Sequence, residues 1–167
     1  LVGGGGHDNL VSRAGAQTFY GGDGFDFVRY ETSNGAVAVA LFNAAINTGE
    51  AQGDTYHEIE GIVGSSYSDY LYGNSVSNYI YGMAGNDWVD GYGGADFLFG
   101  NDGDDHLVSQ VGIQTLDGGA GFDFVRYDHA SAGVIAALSN PAGNAGDATG
   151  EGYISIEGIV GSAHVDY

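Results

Sequence analysis

Residues 82–108 read GMAGNDWVDGYGGADFLFGNDGDDHLV, which is three nonapeptides in one register. Each nonapeptide has Gly at places one and four, Asp at place six and an aliphatic residue at place eight. The blocks at 3–11, 21–29 and 118–126 follow the same pattern, and weaker blocks occupy 12–20, 64–72, 73–81 and 109–117. A short fixed period of this kind predicts a stacked solenoid.

A longer repeat contains the nonapeptides. GFDFVRY at 24–30 recurs at 121–127, and IEGIVGS at 59–65 recurs at 156–162. At this offset of 97 the chain aligns with itself over 70 positions without a gap and shares 38 identities. The chain therefore contains an internal duplication.

The duplication predicts one continuous array over residues 1–167, with copy one at 1–97 and a partial copy two at 98–167. Both ends of the sequence fall within a block, and a solenoid requires polar caps to end it. We therefore expect the chain to be part of a longer array.

The composition excludes several classes of partner. The chain has 22 acidic and 3 basic residues, a formal charge of −19 and no Lys, so phosphate contacts cannot supply nucleic-acid or anionic-membrane affinity. Without Cys there are no disulfides or thiolate metal sites. No apolar run is long enough to predict a membrane-spanning helix. So much uncompensated negative charge predicts a cationic partner.

The residue types of one nonapeptide indicate what that partner is. Glycines at places one and four allow backbone angles closed to other residues, and the Asp at place six adds a carboxylate. Places seven to nine form a short strand whose place-eight side chain points inward. Two such nonapeptides make one full coil, so oxygens of successive coils converge. An oxygen-only site suits Ca²⁺ better than Mg²⁺ or Zn²⁺.

These nonapeptides resemble the GGxGxDxUx motif of the RTX (repeats-in-toxin, haemolysin-type) calcium-binding repeat family. The insert GAVAVALFNAAINTGEAQGDTYHEIEGIVGS at 35–65 is similar to a longer coil found between nonapeptides in secreted RTX proteins. The resemblance implies an all-β chain that forms a right-handed parallel β-roll solenoid with calcium. It also implies export by type I secretion and an extracellular location, either free in the medium or at the cell surface.

The resemblance also implies a set of calcium ligands, at places one, three and six of the turns. Acidic or amide side chains two nonapeptides apart form the expected pairs, which are Asp8 with Asp26, Asp69 with Asp87, Asn78 with Asp96, Asp87 with Asp105, and Asp105 with Asp123. The remaining candidate metal residues are Gly3, Gly5, Gly21, Asp23, Gly82, Ala84, Gly91, Gly93, Gly100, Asp102, Gly118 and Ala120. We expect about five ions, since each brings two charges toward the formal −19.

Some positions depart from this pattern. Gln17 and Gln114 stand where the Asp is expected, so we expect their turns to be less completely metallated. The insert is expected to interrupt the register after Asp26. Glu60 and Glu157 also occupy place six. Their side chains are expected either to hydrogen-bond to the backbone or to contact calcium. Four other glutamates are expected to be solvated surface residues, namely Glu31, Glu50, Glu58 and Glu151.

The sequence predicts no catalytic site. The five His residues share no metal-ligand spacing, and no Ser, His and Asp grouping suggests an activated nucleophile. Every regularly spaced Asp already has a calcium role. We therefore expect no enzymatic activity in this chain.

Aromatic residues at places seven and nine are expected on the outer faces of the strands. Tyr70, Tyr72 and Trp88 belong to one face, and Tyr79, Tyr81, Phe97 and Phe99 belong to the other. Contiguous exposed apolar surface usually has a partner. This surface could be covered by neighbouring repeats of a longer chain or by self-assembly with another molecule. Contact with a cell surface or polysaccharide is a further interpretation.

The sequence thus predicts a calcium-binding structural or adhesive repeat module of a secreted bacterial protein of adhesin, surface-layer or filament type. It would fold outside the cell into a stiff rod. The alternative is a non-catalytic calcium module of a secreted enzyme such as a protease, lipase or alginate epimerase.

Overall fold

Short parallel strands joined by tight turns make up the whole chain. The computed structural model describes all residues from 1 to 167. The strands are β1 (Val2–Gly5), β2 (Asn9–Val11), β3 (Thr18–Asp23), β4 (Phe27–Arg29), β5 (Ala38–Ala40), β6 (Thr55–His57), β7 (Gly61–Val63), β8 (Tyr70–Asn74), β9 (Tyr79–Ala84), β10 (Trp88–Tyr92), β11 (Phe97–Asp102), β12 (His106–Val108), β13 (Thr115–Ala120), β14 (Phe124–Arg126), β15 (Gly152–Ile154) and β16 (Gly158–Val160). Four single 3₁₀ turns lie at Ala44–Ile46, Gly49–Ala51, Pro141–Gly143 and Gly146–Ala148. None of the helical segments has the length and apolar character needed to cross a membrane.

The strands form three sheets in which every paired strand is parallel to its neighbour. A seven-stranded sheet has the order β15-β13-β11-β9-β7-β4-β2, and a six-stranded sheet has the order β16-β14-β12-β10-β8-β5. A short sheet of β1, β3 and β6 lies on the same side of the coil as the six-stranded sheet, because the chain alternates sides. Val89 pairs with Leu71 and Leu107, so one coil has the predicted length of two nonapeptides. The predicted all-β parallel roll is confirmed.

The core lies between the two sides of the roll. Place eight supplies a column of aliphatic side chains, and Leu71, Ile80, Val89, Leu98 and Leu107 are completely buried. They belong to a continuous cluster of 21 buried residues that runs the length of the roll. Full burial of such a side chain contributes about 1.5–3 kcal/mol. Because each strand contributes one inward side chain, the core is narrow and depends on the turns being held together.

The insert between β4 and β6 adds an extra strand to one side of the roll. After β4 the chain first forms β5, which pairs with β8 of the following coil, and then returns to form β6 beside β3. An antiparallel bridge between Ala38 and Thr48 closes this excursion. The short sheet therefore ends at β6, and the six-stranded sheet begins at β5.

Equivalent strands of the two copies lie on opposite sides of the roll. β2 and β4 of copy one belong to the seven-stranded sheet, whereas their equivalents in copy two, β12 and β14, belong to the six-stranded sheet. β3 and β6 of the short sheet likewise correspond to β13 and β15 of the seven-stranded sheet. One copy therefore spans an odd number of half-coils.

Candidate metal centre

Glycine at place one leaves room for oxygens of two successive coils. A methyl group built on Gly82 would lie 2.3 Å from Asp87 Oδ2 and 2.7 Å from Gly100 O. At Gly91 the methyl group would lie 2.2 Å from Asp96 Oδ2. Because no Cβ fills this space, a carboxylate oxygen and, at Gly82, a carbonyl oxygen of the next coil converge there. Both are hard oxygen ligands of the kind that Ca²⁺ prefers.

The left-handed backbone positions differ in part from the prediction. Place four has positive φ as predicted, with 118° at Gly85 and 140° at Gly103. For place one the prediction is wrong, since Gly82 has no positive φ and is required for space instead. The second left-handed position is place two, where Met83 has φ 87° and Asn101 has φ 78°. Such conformations are strained for residues with a side chain.

Place-six side chains form a carboxylate ladder along the turns of the six-stranded sheet. The Asp69 N–H donates to Asp87 Oδ1 at 2.7 Å, and the Asp87 N–H donates to Asp105 Oδ1 at 2.7 Å. The Asp105 N–H donates to Asp123 Oδ1 at 2.8 Å, and the Asp123 N–H donates to Glu157 Oε2 at 2.9 Å. Each acid is thus oriented by the backbone of the preceding coil.

The seven-stranded sheet has a shorter version of the same ladder. The Asp8 N–H donates to Asp26 Oδ1 at 2.7 Å, and the Asn78 N–H donates to Asp96 Oδ1 at 2.9 Å. With these contacts, the structure brings together all five pairs expected at a spacing of two nonapeptides. The insert does not interrupt the ladder after Asp26, contrary to expectation. The Asp26 N–H donates to Glu60 Oε2 at 3.0 Å, because β7 stacks directly on β4.

The second oxygen of most ladder carboxylates is buried without any hydrogen-bond partner. Buried polar atoms are nearly always paired in folded proteins, so repeated exceptions at one position require a missing partner. The unpartnered atoms are the Oδ2 atoms of Asp8, Asp26, Asp87, Asp96, Asp105 and Asp123. They point into the space that the place-one glycines leave open. The donor set fits a hard cation.

The electrostatics of the ladder also favour a bound cation. Burial raises the pKa of Asp87 and Asp96 to about 7 and that of Asp105 to about 6. No arginine offsets this cost, since Arg29 and Arg126 form ion pairs with nearby acids away from the ladder and Arg13 is exposed. Without a cation, burial therefore makes ionisation of these carboxylates costly in the folded chain.

In two turns of the array, the side-chain oxygens at place six accept hydrogen bonds from groups of the same turn. Asp69 is buried, and its Oδ2 accepts the Ser65 N–H at 2.5 Å while its Oδ1 accepts the Ser65 hydroxyl at 2.8 Å. Asn78 Oδ1 likewise accepts the Asn74 N–H at 2.8 Å. Asp69 and Asn78 therefore occupy ladder positions but leave no unpartnered oxygen.

The place-three residues of the predicted set are exposed or half-buried. Gly5 pairs with Asp23, and Asp102 pairs with both Ala84 and Ala120 across successive coils. Gly93 lies in the corresponding position, and its N–H donates to Asn74 O. A methyl group built on any of four other place-one glycines would lie within 2.5 Å of the place-six carboxylate of the same turn, namely Gly3, Gly21, Gly100 and Gly118. No group of three or more His, Cys, Asp or Glu side chains converges, so further ligands would be backbone oxygens.

Sequence reasoning missed a second ladder at place five. The Asn86 N–H donates to Ser68 Oγ at 2.9 Å, and the Asp104 N–H donates to Asn86 Oδ1 at 3.2 Å. Asp104 Oδ1 accepts the Phe122 N–H at 2.8 Å. These donors come from the following coil, whereas place-six donors come from the preceding coil. The small polar residues at place five of alternate nonapeptides were the available signal.

Glu151 also departs from expectation, because it is buried and not solvated. It is equivalent to Asp54 of copy one, which is completely buried. Both acids are hydrogen-bonded by side-chain hydroxyls of the roll. Each insert therefore has a buried acid that is held by hydroxyl groups.

Comparison with known proteins agrees with the turn geometry. A family model described as the RTX calcium-binding nonapeptide repeat matches residues 1–28 and 72–107, in four copies. Five of the six carboxylates with an unpartnered oxygen lie in these segments, and Asp123 lies outside them. No curated protein matches the chain.

Proposed function

Because two segments of this chain match the RTX calcium-binding nonapeptide repeat, we propose that it is a structural module of an extracellular protein and that calcium controls its folding. The six buried, unpartnered Asp oxygens are the observation that carries the proposal. When bound, Ca²⁺ would supply the positive charge and the bonding partner that these oxygens lack.

The residues of the turns have separate roles in such a roll. Place-one glycines leave the space, place-six carboxylates line it, and the ladder hydrogen bonds fix the carboxylates in register. Without a cation the stacked carboxylates repel each other, and the narrow core cannot offset the entropy of ordering the chain. Folding and cation binding are therefore coupled.

Circular dichroism tests this proposal. In excess chelator the chain is expected to be largely unfolded, and added calcium should produce β signal. Magnesium at the same concentration serves as the control, because it demands strict octahedral geometry. An unchanged β spectrum in excess chelator would overturn the proposal.

We further propose an adhesive or assembly role for the outer aromatic surface of the seven-stranded sheet. This surface consists of Tyr79, Tyr81, Phe97 and Phe99. The Tyr79 and Phe97 rings stack with centroids 4.3 Å apart, and the Tyr81 and Phe99 rings stack at 4.6 Å. Phe25 extends the row by an edge contact with Tyr79 at 4.9 Å. Calcium turns do not need such rings, and solubility disfavours them.

On the six-stranded sheet, Tyr70 pairs with Trp88, and Tyr72 lies on the same outer face. Contact with neighbouring repeats or with a second copy would cover both surfaces. Replacing Tyr79, Tyr81, Phe97 and Phe99 by Thr should leave calcium-induced β structure intact and abolish association in sedimentation velocity. Unaltered association would contradict the assembly role. A catalytic domain in the neighbouring sequence would instead favour the enzyme-associated role.

A further inference from the structure

The insert of copy one carries a buried carboxylate whose acceptors are all used. Asp54 Oδ1 accepts the Gln17 N–H at 2.7 Å, which is the same ladder contact that place-six acids make elsewhere. Asp54 Oδ2 accepts the Tyr30 hydroxyl at 2.7 Å and the Ser12 hydroxyl at 3.2 Å. The Tyr56 hydroxyl lies 2.5 Å from the Tyr30 hydroxyl. We name Ser12, Tyr30, Asp54 and Tyr56 the hydroxyl cluster.

Copy two repeats the hydroxyl contacts with a different acid. Glu151 replaces Asp54, and the hydroxyls of Ser109 and Tyr127 donate to its two carboxylate oxygens. The Tyr153 hydroxyl also donates to Glu151, at 3.0 Å. The contact therefore persists when the side chain is one methylene longer. Its repetition shows that the hydroxyl donors, rather than one acid type, define this rung.

Hydroxyl donors can satisfy the oxygens of a buried carboxylate in place of a cation. Both carboxylate oxygens of Asp54 are satisfied inside the protein, and binding an ion there would break bonds to Tyr30 and Ser12. Burial raises the pKa of Tyr30, so this phenol stays protonated and remains a donor. Asp69 and Asn78 are closed in a comparable way by backbone N–H groups of their own turns.

We propose that this chain contains two kinds of coil contact, and that calcium binds only where a place-six Asp leaves an oxygen unpartnered. The rungs at Asp54, Asp69, Asn78 and Glu151 are held by protein donors without an ion. The roll is therefore divided into calcium-dependent sections and calcium-free sections, and the insert of each copy belongs to the latter. This inference rests on the proposed calcium-coupled folding.

Calcium stoichiometry of the whole chain tests the inference. Asp105→Asn should lower the number of bound ions measured by equilibrium dialysis, because it removes a charge from the open ladder. The matched variant Asp54→Asn should leave that number unchanged while lowering the melting temperature of the calcium-loaded chain. An equal loss of ions in both variants would overturn the inference. A loss in neither variant would also overturn it.

Hydrogen exchange of the unaltered chain provides a second measurement that needs no variant. As calcium is lowered, peptides covering 30–57 should keep their protection at concentrations where peptides covering 100–126 have lost it. Simultaneous loss of protection, or earlier loss in 30–57, contradicts the division. Such a result would leave calcium-induced folding itself intact, so this failure is distinguishable from failure of the proposed function.

Discussion

Asp105→Asn separates two effects of a ladder carboxylate. Asp105 is completely buried, its Oδ1 accepts the Asp87 N–H at 2.7 Å, and its Oδ2 has no partner. The Asn side chain keeps an acceptor for the ladder hydrogen bond and removes the charge. We therefore expect opposite effects on the metal-free chain and on calcium binding.

The pKa of Asp105 sets the size of the first effect. Burial raises this pKa from 3.8 to about 6, so the folded, metal-free chain holds the group ionised at pH 7.5 at a cost. That cost is roughly 2 kcal/mol, taken from 1.36 kcal/mol per pKa unit and reduced for solvent screening. Asp105→Asn should stabilise the metal-free fold by up to about 2 kcal/mol. It should weaken calcium binding roughly tenfold or more, because ligand charge strongly controls calcium affinity.

Two titrations measure these effects. Osmolyte-induced folding in chelator reports the metal-free stability, and calcium titration followed by circular dichroism reports the midpoint and slope. Asp96→Asn is the matched control, because Asp96 lies between uncharged Asn78 and Gln114. Only Asp105→Asn should reduce the slope, since it removes the middle of a continuous ladder. Equal slopes, or a metal-free chain destabilised by Asp105→Asn, would refute the reasoning.

Three further outcomes are expected. Burial raises the pKa of Asp87 and Asp96 to about 7, so the metal-free fold loses stability as pH rises from about 4 to 7. Lowering the pH from 7.5 to 5.5 should therefore stabilise the metal-free fold in osmolyte titrations and weaken calcium binding. A calcium midpoint that stays constant over this pH range would contradict the prediction. Gly100→Ala should lower stability by about 1–3 kcal/mol in thermal melts, because its methyl group would lie 2.2 Å from the ladder carboxylate, whereas Gly93→Ala meets open space and should be nearly neutral. Met83→Gly should raise the free energy of unfolding by roughly 0.5–1 kcal/mol by relieving the strained φ of 87°, and a lower melting temperature would argue against strain there.

The period of the sequence was sufficient to predict the coil, the inward column and the ladder pairs. A place-six Asp has one backbone environment, repeated every coil, so spacing alone locates its neighbours. The hydroxyl cluster could not be predicted in this way, because Asp54 contacts Tyr30 across 24 residues of aperiodic insert. The burial of Glu151 follows from the equivalent hydroxyls of copy two. The closed turn at Asp69 depends on the local path of Ser65, which residue type does not specify.

The change of sides between the two copies has a consequence for how the inserts are displayed. In copy one, β5 adds a level to the side of the roll that carries the six-stranded sheet. In copy two the equivalent segment lies on the opposite side, where the Tyr167 N–H donates to Val134 O and Ile135 bridges Ala145. The two inserts thus lie on opposite sides of the roll. A partner that recognises the insert would therefore meet it on alternating sides of the roll.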